Sequence, residues 1–521
     1  MKISRSMAAH TILAIVAAVG AIGTSHNASA QGVDPVVFSF ATVGDSRQDP
    51  KKPDPTTFIA NASPATKGGV ASYSGAVLPQ DQIFLQNSAA WAVIQQGITA
   101  QGAQLLLFNG DMIFGYGRPV MPNEWTGNPV TWKTPISSLN SESTCAGCTA
   151  GQVYPDAFFE WIQYAFWRGT VSTLFSAGTY VVPVPGNHET QCSSTANPYS
   201  STSPNPNCSV TLNGGKQAYA ENENLFRATQ GDLIQDLVNN LRFSNVSGVF
   251  ASNVTGLTPA SAPGGSASVL CATPGVTSNS CTYTAGTPAN NGPISGSQQE
   301  LDYSFDINVP VSGGPALLLH FSVINTDPSG ADQTAPSDWL AGDLAAAAAR
   351  ATAGNQKIKY FVFGHKAAFT YNYTGTAPPV APGGLDANTS TSPNYRNLFW
   401  HVIAQYNATY FCGHEHIPNV QQIPDPTPGS TITNKPYQVI VGSGGSPFDD
   451  TMAGTSPSTY TEPPETAVTD RYYAWAWVQV HQSGAVTLNL SGFPDTGVSS
   501  GMVYDLANYD VPGQVFTGNL Q

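Results

Sequence analysis

The sequence is poor in charge. Its 521 residues include 19 Lys and Arg against 33 Asp and Glu, and charged residues make up 10% of the chain. This balance leaves no basic footprint for nucleic acid, and it opposes long-range attraction of polyanions. Small anionic esters captured by a cationic metal site would escape most of that repulsion. With 41% hydrophobic residues, we expect a folded, loop-rich protein of enzyme size.

Long apolar runs are also missing. No segment approaches the ~20 consecutive apolar residues that a helix needs to span a bilayer. The run Ile12 to Gly23 is apolar but short, and it follows the basic residues Lys2 and Arg5. Ala28-Ser29-Ala30 is a small-residue cleavage site. This pattern predicts a signal peptide over residues 1–30 and an exported protein, periplasmic or secreted, that begins at Gln31. An uncleaved anchor is the alternative.

Seven cysteines fit an exported protein with some disulfides. Six form close pairs in polar stretches, which predicts three local bridges: Cys145/Cys148, Cys192/Cys208 and Cys271/Cys281. The Cys145-Ala146-Gly147-Cys148 pair could instead be redox-active or half of a zinc site, but no second such pair exists. Cys412 ends an apolar run and is predicted to be a buried free thiol.

Hydrophobic patterning predicts strands that alternate with helices in the first part of the chain. The predicted elements are strands at 36–43, 103–108 and 180–184 and helices at 83–100 and 154–175. This rhythm is typical of parallel βαβ units, in which ligands bind beyond the carboxyl ends of the strands. Residues 190–297 interrupt it with a polar insertion that contains one helical segment, 218–241.

The rhythm returns after Leu301. Strands are predicted at 316–324, 358–363 and 408–412, and helices at 337–351, with Ser337 as N-cap, and at 397–404. Short strands at 437–441, 474–480 and 485–490 predict a second, more antiparallel sheet. The whole is expected to be one domain over 31–495 with loop insertions at about 48–80, 115–153 and 190–300, followed by a tail at 496–521.

Five short polar clusters each follow one of the apolar, strand-like runs. They are Gly44-Asp45-Ser46-Arg47, Gly110-Asp111, Gly186-Asn187-His188-Glu189, Gly364-His365 and Gly413-His414-Glu415-His416. Each contains metal-ligand residue types just past a glycine. Together they supply oxygen and imidazole ligands of the kind that suits Zn, Mn or Fe. In an extended segment, alternation would turn both histidines of the last cluster to one face.

In this order the clusters resemble the motifs of the calcineurin-like metallophosphoesterase superfamily, which includes purple acid phosphatases. The resemblance spans about 36–420 and implies an α/β fold, a four-layer α/β/β/α sandwich of two mixed sheets flanked by helices. It also implies two divalent or trivalent metal ions. Asp45, Asp111 and His416 would hold the first ion, with Asp111 bridging, and Asn187, His365 and His414 would hold the second.

The resemblance further implies the catalytic roles. A metal-bridging hydroxide would attack the phosphorus atom, and His188 would donate a proton to the leaving oxygen. Two positions depart from relatives. Arg47 stands where many members have a histidine ligand, and it either binds a phosphate oxygen or pairs with Asp45. Phe114 stands where purple acid phosphatases have a tyrosine ligand, and Tyr116 lies two residues further on.

The sequence therefore predicts an exported hydrolase of small phosphate esters, with phosphomonoesters as the first choice of substrate. A phosphodiesterase or nucleotide-cleaving enzyme with the same site is the alternative within enzymes. A catalytically degenerate protein that binds phosphate or a partner is the alternative outside them. Substrate, metal pair and oligomeric state are left open by the motifs.

Overall fold

The computed structural model describes residues 34–47, 86–117, 154–193, 216–238, 254–256, 269–270, 280–281, 301–329, 332–369, 384–385, 395–446, 472–494 and 503–505. The chain divides into a short unit, Met1–Pro35, and a large unit, Val36–Gln521, to which the following refers. The predicted signal peptide lies outside the described residues, as do most of the three predicted loop insertions.

The first sheet joins strands from the two ends of the large unit, in the order β17-β16-β15-β1-β2-β3. The strands β1, β2 and β3 are parallel, and β15, β16 and β17 continue the sheet antiparallel on the other side of β1. Their bounds are β1 Val36–Val43, β2 Leu105–Phe108, β3 Tyr180–Pro183, β15 Tyr472–His481, β16 Val486–Pro494 and β17 Tyr504–Asp505.

The second sheet has the order β13-β14-β12-β11-β10-β9-β6. Its strands β10, β11, β12 and β14 are parallel, whereas β6, β9 and β13 pair antiparallel. Their bounds are β6 Val254–Gly256, β9 Tyr303–Val309, β10 Leu317–Val323, β11 Lys357–Phe363, β12 Thr409–Cys412, β13 Pro418–Gln422 and β14 Tyr437–Val441. Two hairpins stand apart, β4 Gln191–Ser193 with β5 Lys216–Ala218, and β7 Val269–Leu270 with β8 Ser280–Cys281.

The two sheets face each other across an aromatic core. Phe40 of β1 meets phenylalanines of β10, β11 and β12 edge-on, with ring centroids 5.0–5.9 Å apart: Phe321, Phe361, Phe363 and Phe411. All five side chains are fully buried. Edge-to-face packing brings the positive edge of one ring to the negative face of another. The two sheets therefore pack together through the side chains of alternate residues along each strand, which point into the space between them.

Helices cover the outer face of each sheet. The described helices are α1 Ser88–Ala100, α2 Tyr154–Ala177, α3 Asn187–Thr190, α4 Ala220–Val238, α5 Ser337–Ala353 and α6 Tyr395–Tyr406. Trp91 of α1 and Trp167 of α2 pack on Phe108 of the first sheet. Phe399 of α6 packs on Tyr410 of the second sheet, where α5 also contributes to the buried cluster. The predicted α/β class and four-layer order are confirmed.

Two predictions about these elements are wrong. The late strands do not share one sheet, because β14 lies parallel to β12 whereas β15 and β16 join the first sheet beside β1. Strand pairing is set by which distant surfaces are buried together, and the local pattern does not contain it. Ser337 is not the N-cap, since α5 begins at Ser337 and Pro336 occupies the cap without a side-chain bond.

The described residues allow only some of the predictions about cysteine to be checked. Cys412 is a buried free thiol, as predicted. Of the six paired cysteines, Cys192 is described with its side chain, buried in β4. The three pairings stay predictions, because their partners lie outside the described residues. Among the helices that are described, none has the length and apolar character of a membrane span.

Candidate metal centre

The six predicted ligands meet at one edge of the two sheets, beyond the carboxyl ends of five strands. Asp45 follows β1, Asp111 follows β2 and Asn187 begins α3 after β3. His365 follows β11, and both His414 and His416 follow β12. Parallel strands end at the same edge, so residues far apart in the sequence come together there.

Sharp turns aim these side chains across the strand ends. Asp45, Asp111 and His414 have φ angles of 60°, 57° and 69°, a left-handed conformation that is uncommon for non-glycine residues and that Asp and His adopt more readily than most. Close approach explains two of the glycines. A Cβ on Gly413 would overlap Asp45 Oδ2, and one on Gly186 would overlap the backbone nitrogen of Asp111.

Asp45, Asp111 and His365 form a buried group whose ligand atoms all lie within 4.8 Å of one another. His365 Nε2 is 3.2 Å from Asp111 Oδ1, and His416 Nε2 is 3.5 Å from Asp45 Oδ1. Among the described residues, no donor forms a hydrogen bond with Asp45 Oδ1, although the carboxylate is fully buried. An unsatisfied buried carboxylate oxygen is costly without a cation.

A second group surrounds the side-chain oxygen of Asn187. His365 Nε2 lies 2.8 Å and His414 Nδ1 lies 2.9 Å from Asn187 Oδ1, and the two imidazole nitrogens are 3.2 Å apart. His365 donates Nδ1–H to the carbonyl of Asn109 at 2.7 Å, which turns the Nε2 lone pair toward the site. Lone-pair atoms that converge in this way suit a metal ion, so the donor set fits the predicted cofactor.

Asp111 lies between the two groups. Its Oδ1 accepts the backbone N–H of His188 at 3.1 Å and faces His365, whereas its Oδ2 accepts Arg47 Nε–H at 3.2 Å. Burial alone would raise the pKa of Asp111, but His188, His365, Arg47 and His414 hold it well below its usual range. Asp111 is therefore the carboxylate of the pair that favours the ionised form, and its bridging role stays a prediction.

Asp45 has the opposite tendency. Burial raises its pKa well above the usual range, against the influence of His365, and the Asp111 carboxylate raises it further. Two buried carboxylates this close repel one another, so one retains a proton unless a cation neutralises both. The site is thus built to gain stability from added positive charge.

The last cluster is not the extended segment that the alternation suggested. His414 has a positive φ, and Glu415 N and Ile417 N donate to the carbonyls two residues back at 2.8 and 2.7 Å. These tight turns separate the two histidines. His414 faces Asn187 and His365, and its backbone N–H binds Asp45 Oδ2 at 3.0 Å, whereas His416 faces Asp45. The turns therefore place His414 beside Asn187 and His416 beside Asp45, and the division into two sets of metal ligands stays a prediction.

The two departures also acquire definite contacts. Arg47 is 9% exposed and forms an ion pair with Asp111, whereas the pairing considered from the sequence was with Asp45. Phe114 is buried and packs edge-on against the His188 ring at 5.6 Å. Its side chain is therefore part of the wall of the site.

His188 is buried beside Asp111. Its Nδ1 is hydrogen-bonded to the carbonyl of Phe114, which leaves Nε2 3.6 Å from Asp111 Oδ2. Burial, followed by the positive charge of Arg47, holds the pKa of His188 well below its usual range. The ring is neutral at neutral pH and turns Nε2 toward the site.

Glu189 has a positioning role that the sequence did not assign. Its fully buried carboxylate accepts four backbone N–H groups, from Asp111, Met112, Ile113 and Gly186, at 2.8, 2.7, 3.2 and 2.8 Å. It thereby ties the loop after β2 to the turn that carries Asn187. Burial and the Asp111 carboxylate act to raise the pKa of Glu189, and the backbone N–H groups oppose them because they stabilise the ionised form. The sequence offered one indication of this role, because Glu189 belongs to the same polar cluster as Asn187 and His188.

Tyr116 is the second residue without an assigned role. Its hydroxyl accepts Asn187 Nδ2–H at 2.8 Å and Lys216 Nζ–H at 2.8 Å. Its ring centroid lies 3.8 Å from that of His188. Tyrosine in this part of the chain was noted from the sequence, but only the fold brings it to Asn187.

No protein-family model and no curated protein matches the sequence. Similar solved structures include purple acid phosphatase PPD1 from yellow lupin (Lupinus luteus) seeds, at 11% identity and a TM-score of 0.37, covering 90% of this chain and 53% of that one. The structure of PhoD matches at 11% identity and a TM-score of 0.36, and the match covers 93% of this chain and 74% of PhoD. A dimetal phosphatase from Danio rerio matches at 9% identity and a TM-score of 0.33, and the match covers 88% of this chain and 97% of the phosphatase. This chain spans about half the length of the lupin protein. Likeness this distant leaves substrate and metals to be inferred from the residues of the site.

Proposed function

We propose that this chain is an exported, metal-dependent phosphoester hydrolase of the calcineurin-like metallophosphoesterase superfamily, and that phosphomonoesters are its substrates. One observation carries the proposal. Two carboxylates, an amide oxygen and three imidazoles, each following a strand, converge, and His365 Nε2 lies 3.2 Å from Asp111 Oδ1 and 2.8 Å from Asn187 Oδ1. Such a donor set holds two metal ions and has few other uses in a buried position.

The first ion would be held by Asp45, Asp111 and His416, and the second by Asp111, Asn187, His365 and His414. When bound, the ions would supply Lewis-acid charge to the phosphoryl group and activate water near neutral pH. Glu189 keeps the loops of Asp111 and Asn187 together through its four backbone hydrogen bonds. Arg47 would orient Asp111 through Nε and bind a phosphate oxygen of the substrate.

His188 is the proposed proton donor to the leaving oxygen. Its Nδ1 is fixed on the Phe114 carbonyl, so only Nε2 can exchange a proton within the site. The neutral ring must first gain a proton, and a bound phosphoryl anion beside it would favour that because opposite charge stabilises the imidazolium. The role predicts that His188 matters most where the leaving oxygen is a poor leaving group.

The activity is tested by loading metal-depleted protein with Mn, Zn or Fe and assaying aryl phosphate monoesters and diesters. Asp111→Asn should abolish turnover, whereas Asp232→Asn, at a carboxylate paired with Arg168 on the surface, should leave it unchanged. Absence of hydrolysis of both esters with every metal would overturn the enzyme proposal. Faster hydrolysis of diesters would favour the phosphodiesterase alternative, and tight metal binding without turnover would favour the degenerate one.

The His188 role has a separate test. His188→Gln should reduce kcat for phenyl phosphate far more than for 4-nitrophenyl phosphate, because the second leaving group needs little protonation. Equal losses on both esters would refute proton donation. Export is tested by N-terminal sequencing of the protein recovered outside the cytoplasm, where the proposal requires a start at Gln31.

A further inference from the structure

The β4–β5 hairpin brings a lysine to the edge of the metal centre. Lys216 of β5 pairs with Ser193 of β4, and Ser193 N donates to the carbonyl of Tyr116 at 3.1 Å. Lys216 Nζ lies 2.8 Å from the Tyr116 hydroxyl and 4.5 Å from the centroid of its ring. The lysine is half-buried and the tyrosine buried. The cation is therefore held in place over an aromatic face.

The Tyr116 hydroxyl has one hydrogen bond left to make. A phenol oxygen has two lone pairs and one proton. Asn187 Nδ2–H and Lys216 Nζ–H occupy both lone pairs, each at 2.8 Å. Among the described residues nothing accepts the proton. The other end of the same amide, Asn187 Oδ1, faces His365 and His414. The hydroxyl thus lies next to a proposed metal ligand with a donor to offer.

Two of the described lysines, Lys216 and Lys366, lie near the centre. Lys366 follows His365 directly, but its Nζ is buried 2.7 Å from Asp327 Oδ1, so its charge is balanced inside the protein. The charge of Lys216 lies only two hydrogen bonds of 2.8 Å from Asn187. It is close enough to act on a bound anion, because a unit charge several Å away in a partly dry site changes affinity by about tenfold or more.

We propose that Tyr116 and Lys216 form a subsite for the non-bridging oxygens of a dianionic phosphoryl group and select phosphomonoesters over phosphodiesters. Tyr116 donates its hydroxyl proton to one such oxygen, and Lys216 polarises that hydroxyl and adds positive charge. A monoester carries two negative charges above about pH 6, whereas a diester carries one. The added charge therefore favours the monoester. This inference rests on the proposed function of the same site.

The experiment compares Lys216→Met with Lys216→Arg in metal-loaded protein, using an aryl phosphate monoester and a methyl aryl diester. Lys216→Met should lower kcat/KM about tenfold or more for the monoester and less than threefold for the diester. Lys216→Arg should retain most of the selectivity. The matched control is Lys357→Met, at the opposite end of β11 from His365, which should change neither value. Equal losses on the two esters would overturn the subsite.

A binding measurement separates this inference from the proposed function. Calorimetry with inorganic phosphate and Mn-loaded protein needs no turnover, and Lys216→Met and Tyr116→Phe should each weaken binding at least fivefold with unchanged metal content. Unchanged phosphate affinity in both variants would overturn the subsite even if the protein is an active esterase. Weakened binding in a protein that hydrolyses neither ester would support the subsite while the enzyme proposal fails.

Discussion

A buried histidine of the second sheet is predicted to make the stability of this protein fall at alkaline pH. His320 of β10 is fully buried, with Nδ1 2.7 Å from Asp306 Oδ1 and Nε2 2.9 Å from Asp343 Oδ2. Both ring nitrogens face carboxylates, which requires the doubly protonated imidazolium. Arg350 also binds Asp306, at 2.6 and 3.0 Å, and Ser322 Oγ donates to Asp343 Oδ2 at 2.7 Å. The histidine and both carboxylates are thus buried, whereas the Arg350 side chain is 34% exposed.

The magnitude follows from the pKa of His320. Burial alone would lower that pKa, but the carboxylates of Asp343 and Asp306 outweigh it and raise the pKa from 6.5 to about 9. Between these values the folded state keeps a proton that the unfolded state has lost. The stabilisation is therefore complete below about pH 6.5 and is lost as pH rises through about 9, a change of about 3 kcal/mol in the free energy of unfolding.

The assay is urea denaturation of metal-depleted protein at pH 6 and pH 9.5. Wild type should lose about 3 kcal/mol more than His320→Gln over this interval, since the variant lacks the titrating group. The difference between the two proteins removes the contribution of other groups that titrate in the same range. His481→Gln, at a partly buried histidine of β15, should behave as wild type. Equal pH dependence in wild type and His320→Gln would refute the charged cluster.

Three further predictions concern the metal centre and its supports. Glu189→Gln should lower the free energy of unfolding by about 2–5 kcal/mol, because either orientation of the amide leaves two buried N–H groups without an acceptor. The variant should also bind less metal. Urea denaturation measures the loss of stability, and metal analysis measures the loss of bound metal. Gly115→Ala should lower the stability by more than about 2 kcal/mol in thermal unfolding, since φ is 54° and the added Cβ would overlap the His188 carbonyl. Chelation should lower the Tm of wild type but not of Asp111→Asn, because a metal that binds only the folded state stabilises it.

The sequence could locate the site because each ligand lies next to a local signal. A run of β-branched and aromatic residues, such as Val36–Val43, ends at a glycine followed by a polar residue, and that combination predicts a strand and the turn after it. The alternation of strands and helices then predicts parallel sheets. In such sheets the carboxyl ends meet, so the pattern predicts that the candidate ligands, Asp45, Asp111 and His365 among them, lie close together.

What the sequence could not supply is the choice of partners. Arg47 lies two residues from Asp45 and yet binds Asp111. Lys216 lies a hundred residues from Tyr116, and only the β4–β5 hairpin brings them together. His320 has an unremarkable place in a buried strand until β9 and α5 present two carboxylates to it.

Most of the longer strands and helices, and the six candidate ligands that follow strands, were therefore predictable from local patterns of residues. Periodicity, glycine and proline act over a few residues, so these features are encoded locally. Three features depend on the tertiary fold. They are the placement of β14 and β15 in different sheets, the ion pair of Arg47 with Asp111, and the approach of Tyr116 and Lys216 to Asn187. Those outcomes depend on which distant surfaces exclude water together, and no local pattern of residues specifies that.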